Sequence, residues 1–321
     1  MSGAASLEVE VSEVAMVAHR VKRFRLIAAS GAPLPAFSPG AHILVTLADG
    51  PRTVRNAYSL MGSPFDHRSY QISVLHTEQS RGGSRYLHER VQPGFRLSIS
   101  RPVNLFPLAQ LGRKHVFVAG GIGITPFLPM MEELNARAVS FELHYSSRSK
   151  DHGAYVSQIS RFYDDARVRF YETGNAERLS MDRVLARQPL GTHLYVCGPE
   201  RMIEDVMASA KEAGWPAGNL HSERFAGGSA GKPFTVALAK SKRTIQVNEH
   251  QSLLEALEAA GVEAPFLCRG GSCGECETRV LACERALIHN DHYLSPDERI
   301  SSAKIMICVS RAEGGNLVLD L

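Results

Sequence analysis

Cys268-Arg269-Gly270-Gly271-Ser272-Cys273-Gly274-Glu275-Cys276 is the stretch on which the reading of this chain turns. Its cysteines follow C-x4-C-x2-C, and a fourth, Cys308, comes after a gap of 31 residues. This is the plant-type spacing in which thiolates hold the two irons of a [2Fe–2S] cluster. Between the cysteines, Arg269, Gly270, Gly271, Ser272 and Gly274 can form a tight loop whose backbone N–H groups point at the cluster. Glycine permits both the positive φ values and the close approach of backbone to sulfur that such a loop needs. The fourth ligand lies in Met306-Ile307-Cys308-Val309, an apolar run expected to be a strand. A structural zinc site usually groups its ligands as two short pairs, which is not this pattern. Six cysteines in 321 residues are too few for a disulfide scaffold.

Composition bounds what surrounds this centre. The length suggests two or three domains, and 44% hydrophobic with 21% charged residues is ordinary for a chain that buries real cores. A formal net charge of +3, with no polybasic run or basic amphipathic helix, gives no sign of nucleic-acid binding. The opening Met1-Ser2-Gly3-Ala4-Ala5-Ser6-Leu7-Glu8 lacks the charged and apolar regions of a signal peptide. The longest apolar stretch, Val116 to Met131, is interrupted by three glycines and two prolines, so it does not read as a membrane span. Thiolate ligands without a secretion signal point to a reducing cytoplasm.

Three blocks follow from the patterning. From about residue 7 to 105, short β-rich runs (Leu7–Val11, Arg23–Ile27, His42–Leu47, Tyr70–Leu75, Arg96–Ser100) alternate with turns such as Asp49-Gly50-Pro51 and Gln92-Pro93-Gly94. Many short strands at near-regular spacing suggest a closed β-barrel. From about 113 to 225, strand-length runs (His115–Ala119, Phe141–Tyr145, Val168–Tyr171, His193–Cys197) alternate with helical segments (Pro126–Glu133, Met181–Ala186, Glu200–Ala213). That alternation predicts a parallel α/β sheet. A Gly-rich linker, Ala226 to Lys232, then leads to strands Phe234–Ala239 and Thr244–Val247 and a helix from Ser252 to about Ala260. Ser252 and Glu255 can form a capping box, and Gly261 is placed to end the helix. Its stripe of Leu253, Leu254, Leu257 and Ala260 reads as core that supports the cysteine loop.

Gly120-Gly121-Ile122-Gly123-Ile124-Thr125-Pro126 follows an apolar strand and precedes a helix. Such a turn can present backbone N–H groups and a helix dipole to a pyrophosphate, although tight packing alone explains many of them. It is not G-x-G-x-x-G, so the usual dinucleotide fingerprint does not apply. Cys197-Gly198-Pro199-Glu200 sits the same way after Leu194-Tyr195-Val196. In the first block, Arg55-Asn56-Ala57-Tyr58-Ser59-Leu60 and Ser80-Arg81-Gly82-Gly83-Ser84 stand out. Tyr58 can stack on a flavin and Ser59 can bond its edge, while Arg55, Arg81 and Ser84 suit a phosphate. Each of these is also compatible with an ordinary strand end or turn.

Taken together, the pieces resemble the phthalate dioxygenase reductase type within the ferredoxin–NADP reductase superfamily. The matching residues are Tyr58-Ser59-Leu60, Arg81-Gly82-Gly83-Ser84, Gly120–Pro126, Cys197-Gly198-Pro199, Glu223 to Phe225, the four cluster cysteines and the ending from Cys308 to Leu321. Asn56-Ala57-Tyr58-Ser59-Leu60 with Asn104-Leu105-Phe106-Pro107 is also similar to carnitine monooxygenase and vanillate demethylase reductases. The resemblance implies an FMN barrel over residues 1–107, an NADH-binding α/β domain over 108–226, a linker at 227–233 and a β-grasp ferredoxin domain over 234–321.

By the same resemblance, Tyr58 and Ser59 contact the isoalloxazine; Ser73, Val74 and Leu75 add backbone contacts; Gly82, Gly83 and Ser84 meet the phosphate. Thr125 and Phe225 close the flavin site, and Gly121, Cys197, Gly198 and Pro199 line the nicotinamide path, with Ser59, Thr125 and Cys197 nearest the chemistry. Asn56 and Ala57 stand where several relatives have Arg-Thr, which leaves Arg55 as the nearest phosphate cation. Leu75 replaces a lysine of some relatives, and Cys283, in an expected turn, is taken as a non-ligand thiol. FMN is expected over FAD, because no adenine-stacking segment follows Gly83-Ser84. NADH is expected over NADPH, although Arg148 and Lys150 near the adenine ribose give a mixed signal. The implied activity is reduction of a separate Rieske-type oxygenase, of the phthalate, carnitine or vanillate kind, by a cytoplasmic monomer. None of the 13 histidines has the spacing of a Rieske or mononuclear iron site. A redox carrier or sensor without NADH turnover is the rival reading, which the two glycine turns oppose.

Overall fold

The computed structural model describes residues 6–50, 52–77, 82–175, 179–225 and 231–321. They divide into two units: the residues through Arg224, apart from Gly82 and Gly83, and a second from Phe225 to Leu321 with those two glycines.

In the first unit, alternating apolar residues build an antiparallel sheet. Its strands are β1 (Leu7–Ala18), β2 (Val21–Ala28), β3 (Ala41–Asp49), β4 (Arg52–Ser59), β5 (Ser69–Leu75), β6 (Arg96–Ile99) and β7 (Val103–Asn104). They run in the order β4-β3-β6-β1-β2-β5, with β7 on β3. Inward residues at every second position, such as Val9, Val11, Phe24, Leu26, Ile43, Val45 and Leu47, form one core. The ends of this path, β4 and β5, carry the residues expected to meet a flavin. A helix the sequence pattern did not suggest, α1 (Gly83–Arg90), follows β5 and buries Leu87 in the same core.

The α/β expectation is met by the unit's second sheet: β8 (Lys114–Gly120), β9 (Ser140–Ser147), β10 (Val168–Glu172), β11 (Thr192–Cys197) and β12 (Leu220–Glu223). All its pairings are parallel, in the order β10-β9-β8-β11-β12. The helices α2 (Phe127–Ala136), α3 (Val156–Phe162), α4 (Met181–Leu185) and α5 (Glu200–Glu212) connect or follow these strands. Both sheet faces are apolar, with Phe117, Leu143 and Tyr195 in one cluster and Val116, Val118 and Val196 in another. This two-sided burial is the reason the strands read as nearly continuous hydrophobic runs.

The second unit contains β13 (Phe234–Leu238), β14 (Arg243–Val247), α6 (Leu253–Ala259), β15 (Glu277–Cys283), β16 (Leu287–Ile288), α7 (Pro296–Ser301), β17 (Lys304–Met306), β18 (Arg311–Ala312) and β19 (Asn316–Leu319). A five-stranded mixed sheet runs β14-β13-β19-β15-β17, and β16 pairs with β18. The capping box is present: Ser252 Oγ accepts from Glu255 N at 3.1 Å, and Glu255 Oε2 accepts from Ser252 N at 2.8 Å.

Three expectations change in this unit. The strand expected to carry the fourth cysteine stops at Met306, because Val309 N and Ser310 N both donate to Met306 O and fold residues 307–309 into a turn. Cys283 is the last residue of β15, opposite Leu317, and not part of a turn. Of the expected linker, residues 227–230 lie outside the described residues, while Gly231 and Lys232 are held by the Arg311 guanidinium through their carbonyls at 3.1 and 3.0 Å.

Candidate redox sites

The cysteine loop lies beyond α6, and its backbone takes positive φ at Gly271 (+72°) and Gly274 (+81°), where a side chain would be strained. Cys268 Sγ accepts from Gly270 N at 3.3 Å and Ser272 N at 3.5 Å. Cys276 Sγ lies 3.1 Å from Cys308 Sγ. Cys268 in turn bonds to the thiols of Cys273 and Cys308, so the four sulfurs form one patch drawn from the loop and the turn after β17. Hydrogen bonds from Cys273, from Cys308 and from the loop N–H groups hold the Cys268 thiol well below its ordinary pKa. The Cys308 contact likewise lowers Cys276, while Cys273 and Cys308, as donors, are pushed up. Among the described residues no set of three His, Cys, Asp or Glu side chains is arranged for a single metal ion. Soft thiol donors with N–H groups aimed at sulfur fit an iron–sulfur cluster. Arg269 is ion-paired with Glu258 of α6 and lies 4.2 Å from the Phe266 ring centre, which fixes the start of the loop. Cys283, half-buried against the core of this unit, is outside the patch.

In the parallel sheet, chain order reverses between β8 and β11. Ligands of open α/β sheets bind at such a switch point, beyond the strands' C-terminal ends. Both glycine turns lie there and pack backbone to backbone. A Cβ on Gly123 would stand 2.2 Å from Cys197 O, and one on Gly198 would stand 3.0 Å from Gly120 Cα. The turn after β8 is a 3-10 segment, Gly121–Ile124, ahead of α2, not a direct strand-to-helix step. Gly121 has φ +54° and open space where a Cβ would project; its carbonyl accepts from Tyr145 Oη at 3.0 Å. Thr125 is buried and donates from Oγ1 to Ile122 O at 3.0 Å.

Cys197 ends β11 between Ala119 of β8 and Glu223 of β12 in register. Burial pushes its thiol well above the ordinary value, and the neighbouring Glu223 carboxylate adds to this. Glu223 itself is held up to about 8 by burial, with the Ser59 contact offsetting it only in part. Ser59 Oγ lies 3.5 Å from Glu223 Oε2, at the outer limit of a hydrogen bond. The fold therefore brings Ser59 and Cys197 to one carboxylate. The sequence pattern gave Glu223 no role of its own.

Arg55, Asn56, Ala57, Tyr58 and Ser59 all lie on β4, and Asn56 Nδ2 donates to Tyr58 Oη at 3.3 Å across one face. Burial raises the Tyr58 phenol to about 12, so it stays neutral. Ser73, Val74 and Leu75 close β5. Ser73 Oγ lies 2.5 Å from the hydroxyl of Tyr155, a buried residue at φ +66° that no sequence motif singles out. Val74 O lies 2.8 Å from His88 Nε2 of α1. Gly83 opens α1, and Ser84 Oγ accepts from Thr77 N at 3.5 Å. Gly82 has φ +114° with room where a Cβ would project. Arg81 lies outside the described residues. Phe225 is 46% exposed and belongs to the second unit, unlike Thr125.

A thiol patch suited to a [2Fe–2S] cluster and a glycine-lined switch point in a parallel sheet define an electron-transfer reductase. The family described as "2Fe-2S iron-sulfur cluster binding domain" matches residues 236–313, and the N-terminal domain family of dimethylamine monooxygenase subunit DmmA-like proteins matches 97–220. The carnitine monooxygenase reductase subunit of Escherichia coli (strain K12) is 45% identical over 100% of both chains. The heme-dependent oxidative N-demethylase beta subunit of Ectopseudomonas mendocina (strain ymp) is 47% identical over 90% of each. A solved phthalate dioxygenase reductase, described as a modular structure for electron transfer from pyridine nucleotides to [2Fe-2S], superposes with TM-score 0.88 at 32% identity, covering 98% of both chains. The chain belongs to this family of oxygenase reductase subunits, and it is an oxidoreductase of the flavin, pyridine-nucleotide and iron–sulfur kind. No helix among the described residues is long and apolar enough to cross a membrane.

Proposed function

We propose that this protein takes electrons from NADH through FMN and a [2Fe–2S] cluster to a separate Rieske-type oxygenase, working as a cytoplasmic monomer. The observation that carries the reading is the convergence of four thiols in a chain whose parallel sheet also holds a glycine-lined switch point. Residues 1–107 then form the FMN barrel, 108–226 the NADH domain, 227–233 the linker and 234–321 a β-grasp ferredoxin domain. The barrel is supported by Met61 N donating to Gln71 O at 3.0 Å, which links the chain just past β4 to β5, the other end of the sheet path. The β-grasp form is supported by α6 on a mixed sheet whose β13 and β19 run parallel.

When bound, the flavin supplies the exchange between a two-electron donor and a one-electron acceptor. The chain's own residues position and insulate it. Tyr58 and Ser59 hold the ring; Ser73, Val74 and Leu75 give backbone contacts; Arg55, Arg81, Gly82, Gly83 and Ser84 take the phosphate. Gly121, Cys197, Gly198 and Pro199 line the nicotinamide path, and Thr125 closes the flavin site. The buried Cys197 thiol stays neutral, and Glu223 keeps its proton to about pH 8, so neither adds a charge at the switch point near neutral pH.

The partner reading shifts from ring hydroxylation toward amines. Relatives named for carnitine and for oxidative N-demethylation, with a dimethylamine monooxygenase family over residues 97–220, favour an oxygenase acting on a methylated amine over a phthalate-like one. Anaerobic NADH titration followed by absorbance and electron paramagnetic resonance tests the electron route. Bleaching of FMN and appearance of a reduced-cluster signal are expected. Stoichiometric FAD, a clear NADPH preference, or a cluster that NADH leaves oxidised would overturn the assignment.

A further inference from the structure

The segment between β16 and α7 contains a buried carboxylate to which the cysteine chemistry gives no role. Asp291 has a fully buried side chain. Its Oδ1 accepts from Ser310 Oγ at 3.0 Å, and its Oδ2 accepts from Leu294 N at 3.0 Å. Arg299 of α7 donates to the Asp291 carbonyl and brings its guanidinium to 3.8 Å from Oδ2. His289 Nδ1 lies 3.5 Å from Oδ1. A buried ion costs several kcal/mol of lost hydration, so it persists only where hydrogen bonds and a counter-charge offset that loss.

What surrounds Asp291 gives the carboxylate its meaning, because the segment touches both parts of the ligand set. His292 N donates to Gly271 O, inside the cysteine loop, at 3.0 Å. Gly271 packs so closely that a Cβ there would stand 2.9 Å from Asp291 Cα and 2.6 Å from Val309 Cγ2. Asn290 Nδ2 donates to Val309 O at 3.0 Å, and Asn290 N donates to Ser310 Oγ at 3.1 Å, just past Cys308. The carboxylate therefore sits where the C-x4-C loop meets the Cys308 turn, and it anchors that turn through Ser310.

We infer that Asp291 and Arg299 form an opposed charge pair that positions the two ligand-bearing segments and sets the reduction potential of the cluster they hold. The inference rests on the reading that these four cysteines bind a [2Fe–2S] cluster. An added electron makes a cluster more negative, and net charge nearby is one of the quantities that fix its potential. A buried carboxylate opposes that electron in a medium of low dielectric, whereas the guanidinium, with a side chain 36% exposed, favours it less strongly. Removing one charge or the other must then move the potential in opposite directions. A purely structural role gives no such sign reversal, since loosening either partner only weakens cluster retention.

The test is a redox titration of the full-length protein, wild type and variants, monitored by electron paramagnetic resonance, with iron and acid-labile sulfide measured on each sample. Asp291→Asn, nearly isosteric, should raise the cluster's midpoint potential, and Arg299→Gln should lower it by a smaller amount. If Asp291→Asn loses its cluster, Arg299→Gln decides alone: a lowered potential supports the pair, and an unchanged or raised one overturns it. Both variants shifting in the same direction, or neither shifting with full iron content, also overturns it. Wild-type protein without iron and sulfide would instead defeat the cluster reading itself.

Discussion

Replacing Gly123 with alanine tests whether the two glycine turns are one construction. The new Cβ would lie 2.2 Å from Cys197 O, 2.5 Å from its carbonyl carbon and 2.8 Å from Gly198 N. Comfortable heavy-atom contact begins near ~3.5 Å, so the turns must separate by roughly 1 Å. None of the opposing atoms belongs to a flexible side chain; all are backbone at the end of a buried strand. Overpacking of this kind costs about 1–3 kcal/mol, and rigid opponents place this case in the upper half. For a unit of this size each kcal/mol lowers Tm by about 2–4 °C, giving a fall of roughly 4–12 °C. Displacing Cys197-Gly198 by about 1 Å should also slow hydride transfer on the order of 100-fold. Stopped-flow bleaching of the flavin by NADH, beside thermal unfolding, reads both effects. Gly121→Ala is the control: it meets no atom within 4 Å and pays only for φ +54°, about 1–2 kcal/mol, without pushing Cys197. A Gly123→Ala protein with wild-type Tm and flavin reduction would refute the packing argument, as would Gly121→Ala being the slower of the two.

Cys273→Ser should lose iron and the cluster's visible absorbance while NADH still reduces the flavin and ferricyanide; cytochrome c reduction should collapse, and Cys283→Ser should leave all of these intact. Because burial holds Glu223 up to about 8, the unfolded chain ionises it first, and the stability this group contributes should fall as pH rises from about 4.5 through about 8. Glu223→Gln should remove that slope from urea midpoints measured across the range, together with any inflection near pH 8 in flavin reduction. His115 and His221 are lowered to about 4, chiefly by burial, so the neutral forms stabilise the fold above the ordinary histidine value and that stability is lost as pH falls through about 4. In the Glu223→Gln background, where that opposing slope is absent, urea midpoints that stay flat from pH 7 to pH 4 would count against these neutral histidines.

Legibility followed the range of the interaction. The cysteine spacing, the Ser252/Glu255 capping box and the α/β alternation are signals written within a few residues, and the structure returns them with ends moved by a few residues. α1 was not legible: eight residues, Gly83–Arg90, bury little beyond Leu87 and leave too short an apolar stripe to register as a helical period. The segment from Met306 to Val309 misled for the opposite reason. It is apolar and buried throughout, and a short buried run has no period that separates strand from turn. What ends β17 is two N–H groups converging on Met306 O, a backbone choice that side-chain pattern does not encode.

Glu223 marks the boundary of what one-dimensional reading can reach. Alone it is a glutamate at the end of a four-residue strand, and such residues are usually solvated. Its chemistry comes from register, which places it beside Cys197, and from Ser59, 164 positions earlier in the chain. The same reasoning explains why two ambiguous glycine turns become informative together. Either turn alone could exist for packing, and the structure shows that each does pack, against the other. Parallel pairing of β8 with β11 then fixes both at the C-terminal ends of adjacent strands where chain order reverses. Packing and binding are therefore not competing explanations here: Gly123 and Gly198 let the two turns touch, while Gly121, with nothing within 4 Å of where a Cβ would project, leaves open space at the switch point where a nucleotide binds.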